Sequence, residues 1–144
     1  MIDVVSDASV VLKWFHAEGE EEVDSARALL DRYRDRSIAL HVLDLTAYEV
    51  GNALLRGRLR VGAARVATVL LALSEICARV ALTPAELTEA ATLAERYDLT
   101  LYDAAYAAAA RSRDAELATL DRALLRSGLG RRPSAIVASL GPVA

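Results

Sequence analysis

Short apolar runs alternate with amphipathic segments along most of this chain, and the alternation limits the fold more than any other feature. The runs predict strands at residues 2–6, 37–43, 79–82, 116–120 and 134–138. The segments between them predict helices at residues 8–15, 18–36, 45–56, 63–75, 84–97, 100–113 and 122–127. Strands separated by helices form a mostly parallel sheet that is covered on both faces. We therefore expect a three-layer α/β/α fold with a central sheet of about five short strands.

The length and composition exclude several classes of protein. The chain has 144 residues, of which 54% are hydrophobic and 26% are charged, and this balance excludes intrinsic disorder. No repeat or linker interrupts the pattern, so residues 1–144 are expected to form a single domain. The apolar segment 66–73 is shorter than a membrane span, and the acidic N-terminus does not resemble a secretory signal. Cys77, the single cysteine, is expected to fill core space, and a reducing cytoplasm fits best.

Four acids stand where an apolar run gives way to a helix: Asp7, Glu49, Asp103 and Asp121. Asp7 and Asp121 each follow a predicted strand, so both should lie at the carboxyl edge of the sheet, where ligands bind in folds of this type. Glu49 belongs to the second turn of a predicted helix, and Asp103 to the start of another. The sequence therefore allows one site that is built from distant segments.

Carboxylates that share a cleft repel one another unless cations neutralise them. Mg²⁺ prefers oxygen ligands of this kind, and no cluster of cysteine and histidine favours zinc; neither His16 nor His41 is expected to act in catalysis. A bound divalent ion turns water into a usable nucleophile, and a pair of ions can clamp both oxygens of a phosphodiester displacement. An acidic cluster without a nucleophilic Ser or Cys triad thus favours metal-assisted phosphoryl transfer.

Each acid taken alone also has a purely structural explanation. The two acids that follow strands suit helix N-caps, because aspartate is favoured there. Thr46 with Glu49, and Thr100 with Asp103, have the spacing of capping boxes. Thr83 and Glu86 form the same pattern where no chemistry is expected. The spacing therefore leaves capping and catalysis both open.

The segments around the acids add further information. They are VSDASVVLKWF at residues 5–15, LTAYEVGNAL at 45–54, LTLYDAAY at 99–106 and LATLD at 117–121. In this order they resemble PIN-domain ribonucleases, and most closely the VapC-type toxins of toxin–antitoxin pairs. The resemblance implies that the four acids hold Mg²⁺ or Mn²⁺ and that the protein is an endoribonuclease.

The resemblance also implies roles for neighbouring residues. Ser9, Asn52 and Thr119 match polar positions that support the acids, although local capping explains Ser9 and Thr119 equally well. Tyr102 and Tyr106 are expected to pack rather than to touch substrate. Some relatives carry a further acid after the fourth, whereas Arg122 follows Asp121 here, which implies a weaker second metal site.

Partners are implied in the same way. We expect RNA as substrate, a homodimer and a cognate VapB-like antitoxin that places a basic residue among the acids; residues 66–73 and the first two helices are candidate contact surfaces. The net charge of −3 gives no global attraction to nucleic acid, so local arginines would have to bind RNA. The candidates, for most of which a solvated surface is the competing explanation, are Arg56, Arg58, Arg60, Arg131 and Arg132.

Two competing functions follow from the same residues. A PIN-like module could bind RNA or a partner without cutting, and calorimetry with Mn²⁺ that shows no binding site lost in Asp103→Asn would favour it. Phosphotransfer on aspartate is disfavoured, because receiver domains need a lysine late in the chain and Lys13 is the only lysine. Phosphatases of the haloacid dehalogenase type need an acid two residues beyond the nucleophile, where this chain has Ser9.

Overall fold

A computed structural model describes residues 1–16, 21–58 and 60–142. Within these ranges four strands form one sheet: β1 (Ile2–Ser6), β2 (Ile38–Leu43), β3 (Arg79–Val80) and β4 (Glu116–Ala118). Their order across the sheet is β3-β2-β1-β4, and every pairing is parallel. The prediction of an α/β fold with a central parallel sheet is therefore confirmed.

Helices connect the strands and cover both faces of the sheet. They are α1 (Ala8–Phe15), α2 (Val23–Arg34), α3 (Asp44–Arg56), α4 (Ala63–Ile76), α5 (Pro84–Tyr97), α6 (Leu101–Ser112), α7 (Arg122–Ser127) and α8 (Pro133–Leu140). The expected start of the second helix, at residue 18, lies outside the described residues. The other predicted helices agree with the structure to within a residue or two.

The core is divided by the sheet because alternate residues of a strand point to opposite faces. Val4 packs with residues of α1, α2, α3, α4 and α8. Val5, the next residue, packs with α5 and α6 on the other face. Helix α6 buries seven consecutive residues, 104–110, six of which are alanines. Small side chains allow α6 to pack close to the sheet. This packing places the first turn of α6 near the carboxyl ends of the strands.

The fifth predicted strand, residues 134–138, is wrong. These residues belong to α8, and a single parallel bridge between Ala118 and Arg131 extends the sheet beyond β4. Pro133 occupies the first turn of the helix, where its fixed φ angle is favourable. Ile136 and Leu140 lie one helical turn apart and pack against the first core. A short apolar run does not distinguish a strand from a buried helix by its pattern alone.

Cys77 and the lengths of the helices bear on two features that composition predicted. Cys77 is free and buried, and it packs within the first core as predicted. No helix in the described ranges is both long enough and apolar enough to span a membrane.

Candidate functional site

Asp7 lies at the carboxyl edge of the sheet, directly after β1, and is buried. Its backbone N–H donates to the carbonyl of Ala118 in β4 at 3.1 Å. Its Oδ1 accepts from the N–H of Val10 at 3.3 Å and so caps α1. These bonds fix the carboxylate between the two strands that form this side of the sheet.

Two hydroxyl groups connect Asp7 to the segment after β4. Ser9 donates to Asp7 Oδ1 and accepts from the N–H of Leu120 at 2.9 Å. Thr119 donates to Asp7 Oδ2 and accepts from the N–H of Asp121 at 2.9 Å. The structure thus places both predicted supporting residues, Ser9 and Thr119, in contact with the first acid.

Gly130 packs against Thr119 and so helps to hold these hydrogen bonds in place. A Cβ at Gly130 would lie 2.4 Å from Cγ2 of Thr119, so no larger residue fits without displacing the threonine. The next carbonyl, that of Arg131, accepts from the N–H of Thr119 at 3.0 Å. Close backbone approach at Gly130 therefore holds Thr119 in position.

Asp121 and Asp103 each belong to a helix start. Asp121 caps α7, because its Oδ2 accepts from the N–H of Leu124 at 3.0 Å. Thr100 caps α6 by accepting from the N–H of Asp103 at 3.1 Å. The capping explanation is therefore correct for Asp7 and Asp121, whereas at α6 the cap is Thr100 and Asp103 only donates its N–H to it.

Glu49 is held differently from the other acids. Its Oε1 accepts from the hydroxyl of Tyr106 in α6 at 2.7 Å. The hydroxyl of Thr46 lies 2.9 Å from that of Tyr106 and accepts from the N–H of Leu43 at 3.1 Å. Because the single proton of Tyr106 goes to Glu49, Thr46 donates to Tyr106. A chain of three hydrogen bonds thus runs from the end of β2 to Glu49.

This geometry corrects the capping-box alternative for Glu49. Thr46 is the third residue inside α3, not its N-cap, so Glu49 lies a full turn too far along the helix to cap it. Tyr106 is buried, as expected, and burial raises the pKa of its hydroxyl, which keeps its proton. Its bond to Glu49 was not predicted, since it joins residues 57 positions apart.

Asp7, Asp103 and Glu49 have raised pKa values, and burial is the largest cause in each case. Burial raises the pKa of Asp7 to about 6, against the opposing bonds from Ser9 and Thr119, and the charge of Asp103 raises it further. Burial and then the charges of Asp121 and Glu49 raise the pKa of Asp103 to about 6. Burial and Asp121 also raise the pKa of Glu49. The four carboxylates therefore lie in one electrostatic environment.

The donors fit a divalent cation in chemistry but are not drawn together around one point. Within residues 1–16, 21–58 and 60–142, no three Asp, Glu, His or Cys side chains are close enough to hold a metal ion. Asp7 directs both oxygens to hydroxyl groups, and Glu49 accepts from the hydroxyl of Tyr106. Oxygen donors with raised pKa values are nevertheless the set that a hard cation stabilises.

The other predicted residues differ in exposure and in partners. Asn52 is exposed and lines a groove between α3 and α4. Arg56 lies seven residues beyond Glu49 on α3, about 10 Å along the helix axis. Arg131 is paired with Glu116 at 3.0 Å. Tyr102 is 61% exposed, so the expectation that it packs is wrong.

Comparison with known proteins identifies the family. The model of the PIN domain matches residues 4–128. The chain belongs to the PIN-domain family. PIN domains are typically metal-dependent nucleases, and they generally use divalent metals. The resemblance to PIN domains in the four sequence segments is thus confirmed, and the closer resemblance to VapC-type toxins stays a prediction.

A solved structure supports the assignment. The PIN domain described here is similar to the crystal structure of PAE2754 from Pyrobaculum aerophilum, with a TM-score of 0.70 and 28% sequence identity. The match covers 96% of this chain and 89% of that chain. No curated protein matches the chain significantly.

Removing the charge of Asp103 should stabilise the metal-free PIN domain at neutral pH. Folding raises the pKa of Asp103 from 3.8 to about 6, so its contribution to stability is full below pH 3.8 and is lost as the pH rises through 6. In EDTA at pH 7.5 we expect Asp103→Asn to unfold roughly 3 °C or more above the unsubstituted protein. Near pH 4 this difference in unfolding temperature should disappear. Thermal unfolding followed by circular dichroism measures both.

Asp114→Asn is the matched control, because Asp114 is exposed and has a positive φ angle that asparagine tolerates. Its unfolding temperature should differ little from that of the unsubstituted protein at either pH. The quantity to compare is the unfolding temperature of Asp103→Asn minus that of the unsubstituted protein. A smaller difference at pH 7.5 than at pH 4 would contradict the electrostatic account.

Proposed function

We propose that this PIN domain is a divalent-metal-dependent endoribonuclease that cleaves RNA phosphodiesters by hydrolysis. The observation that carries the proposal is the buried carboxylate of Asp7, which Ser9 and Thr119 hold at the carboxyl edge of the sheet. The charge of Asp103 raises the pKa of Asp7, and the charge of Asp121 raises those of Glu49 and Asp103, so acids from four segments influence one another. The family, whose members are typically metal-dependent nucleases, supports the same conclusion.

The four carboxylates are the groups that would hold Mg²⁺ or Mn²⁺. A carboxylate offers about four lone-pair positions, and the bonds to Asp7 from Ser9, Val10 and Thr119 leave one on Oδ2. When bound, the cation supplies positive charge that stabilises the phosphodiester as it reacts and strengthens water as a nucleophile.

The chain itself contributes the position of the acids. Ser9 and Thr119 orient the buried carboxylate of Asp7 before substrate arrives, and the hydroxyl of Tyr106 orients Glu49. Asp103, whose pKa is about 6 without a cation, would hold the cation in its ionised form. Catalysis by this site should therefore depend on the orientation of two acids and on the charge of a third.

Cleavage of RNA tests this proposal. The protein should cut transfer or ribosomal RNA in Mg²⁺ and lose that activity in EDTA. Asp103→Asn should lower the rate about 100-fold or more, because a negative charge that would hold the cation is removed. Asp114→Asn should cut at the unsubstituted rate. Since Asp103→Asn is expected to be the more stable protein, its loss of activity is not explained by unfolding; equal cleavage by both variants would refute the nuclease.

A second function is favoured by one observation. The described carboxylates do not converge closely enough to hold a metal ion. A PIN-like module that binds RNA or a partner without cutting is compatible with that spacing. Absence of Mn²⁺ binding by calorimetry, together with RNA binding, would establish the module in place of the nuclease.

We further propose that the protein acts as the toxin of a type II toxin–antitoxin pair, in a homodimeric form. The support is the resemblance of its motifs to VapC-type toxins and the presence of a large apolar surface. The groove between α3 and α4 has a volume of about 690 Å³ and exposes Tyr48, Leu55 and Leu71. Helices α1 and α2 bury their apolar faces in the core, so this groove is the better candidate of the surfaces expected from sequence.

Growth experiments test the toxin role. Expression of the unsubstituted protein should arrest growth, and Asp103→Asn should not. Coexpression of the product of a short upstream reading frame should restore growth, and Leu71→Asp should block its binding because a charge is placed in the apolar groove. If the protein cleaves RNA in vitro but cells that express it grow normally, the toxin role is refuted and the nuclease proposal is not.

A further inference from the structure

Large apolar side chains that remain exposed are concentrated in two places. Among the described residues, Tyr48, Leu55 and Leu71 line the groove between α3 and α4. Leu87, Leu101 and Tyr102 line a second cavity, which we call the edge slot. The edge slot lies between the end of β2, residues 81–82 and the first turn of α6, and its volume is about 310 Å³.

The edge slot lies beside the acids. Tyr102, which lines it, directly precedes Asp103, and neighbouring Cα atoms are about 3.8 Å apart. Leu43 and Asp44, on its other side, begin the helix that carries Glu49. A polymer bound across the acids would therefore pass the opening of the slot.

We propose that the edge slot binds one unpaired base of the RNA strand next to the cleaved phosphodiester, with the base stacked on Tyr102. This inference rests on the proposed nuclease function. Unpaired bases in RNA are recognised by stacking on aromatic side chains and by hydrogen bonds to their edges. Tyr102 is 61% exposed and offers such a face.

The size of the edge slot favours a base over a protein segment. Its volume of about 310 Å³ is less than half that of the α3–α4 groove, about 690 Å³. It suits a single ring system, whereas an apolar helix or strand of a partner would need the longer surface. Leu101 and Leu87 supply apolar contacts on the same cavity wall as the tyrosine.

Asp44 gives the slot a preference among bases. Its Oδ1 accepts from the N–H of Leu45 at 2.8 Å, and that bond does not use its other oxygen. An ionised carboxylate only accepts hydrogen bonds, so it selects a base edge that donates them. Guanine presents a ring N–H and an amino group side by side. We therefore expect guanine to occupy the slot.

The first experiment measures single-turnover cleavage of short single-stranded RNAs in which each nucleotide in turn is made abasic. One position beside the cleaved bond should lower kcat/KM about tenfold, mainly through KM, because one stacking contact is lost. Tyr102→Ala should cause the same loss on intact RNA and no further loss on that abasic RNA. Tyr102→Phe should retain the activity, since it keeps the ring.

Asp114→Asn is the control, because Asp114 is exposed and lines neither the edge slot nor the α3–α4 groove. It should leave KM unchanged. Replacing guanosine by inosine, which lacks the amino group, should raise KM for the unsubstituted protein and not for Asp44→Ala. Equal losses in Asp114→Asn and Tyr102→Ala, or an abasic scan without a sensitive position, would overturn the proposal.

A second measurement separates the slot from the nuclease. If the protein cleaves no RNA, its binding to oligonucleotides that carry the fluorescent base 2-aminopurine is measured in EDTA. The unsubstituted protein and Tyr102→Phe should quench the 2-aminopurine fluorescence, and Tyr102→Ala should not. This result would support base binding in the edge slot even though the proposed nuclease activity is refuted. Absence of quenching, or quenching unchanged in Tyr102→Ala, refutes the slot.

Discussion

The buried carboxylate of Asp7 is the interaction on which the rest of the site depends. Burial of a charge is costly, and here it raises the pKa of Asp7 to about 6 even though Ser9, Thr119 and the N–H of Val10 all donate to it. Those donors also tie α1 to the chain after β4. The fold is therefore assembled around a group that destabilises it at neutral pH, which is typical of a site kept for function.

The sheet and α6 bring the remaining acids to this carboxylate. Parallel strands end at one edge, so Asp7 and the segment leading to Asp121 are neighbours. The alanine-rich face of α6 lets that helix lie close to the sheet, and its first turn carries Asp103 to the same edge. Tyr106, one turn further along, reaches Glu49 on α3. Packing thus determines the electrostatics of the site.

Local patterns predicted much of this, and contacts between distant segments account for what they missed. The junctions at Asp7 and Asp121 and the N-cap at Thr100 follow from neighbouring residues, and the structure has them as expected. The bond from Tyr106 to Glu49 and the contact of Gly130 with Thr119 depend on tertiary structure, so no spacing in the chain indicates them. Residues 134–138 were misassigned because their short apolar run suits either a strand or a buried helix.

The central claim is that four carboxylates from separate segments share one repulsive site that a cation relieves. Titration of the aspartate side-chain carboxyl carbons by NMR, with and without Mg²⁺, measures this directly. Without Mg²⁺, Asp7 and Asp103 should titrate near 6, and Mg²⁺ should lower both midpoints together. Midpoints close to the ordinary value of 3.8 that do not respond to Mg²⁺ would contradict the account.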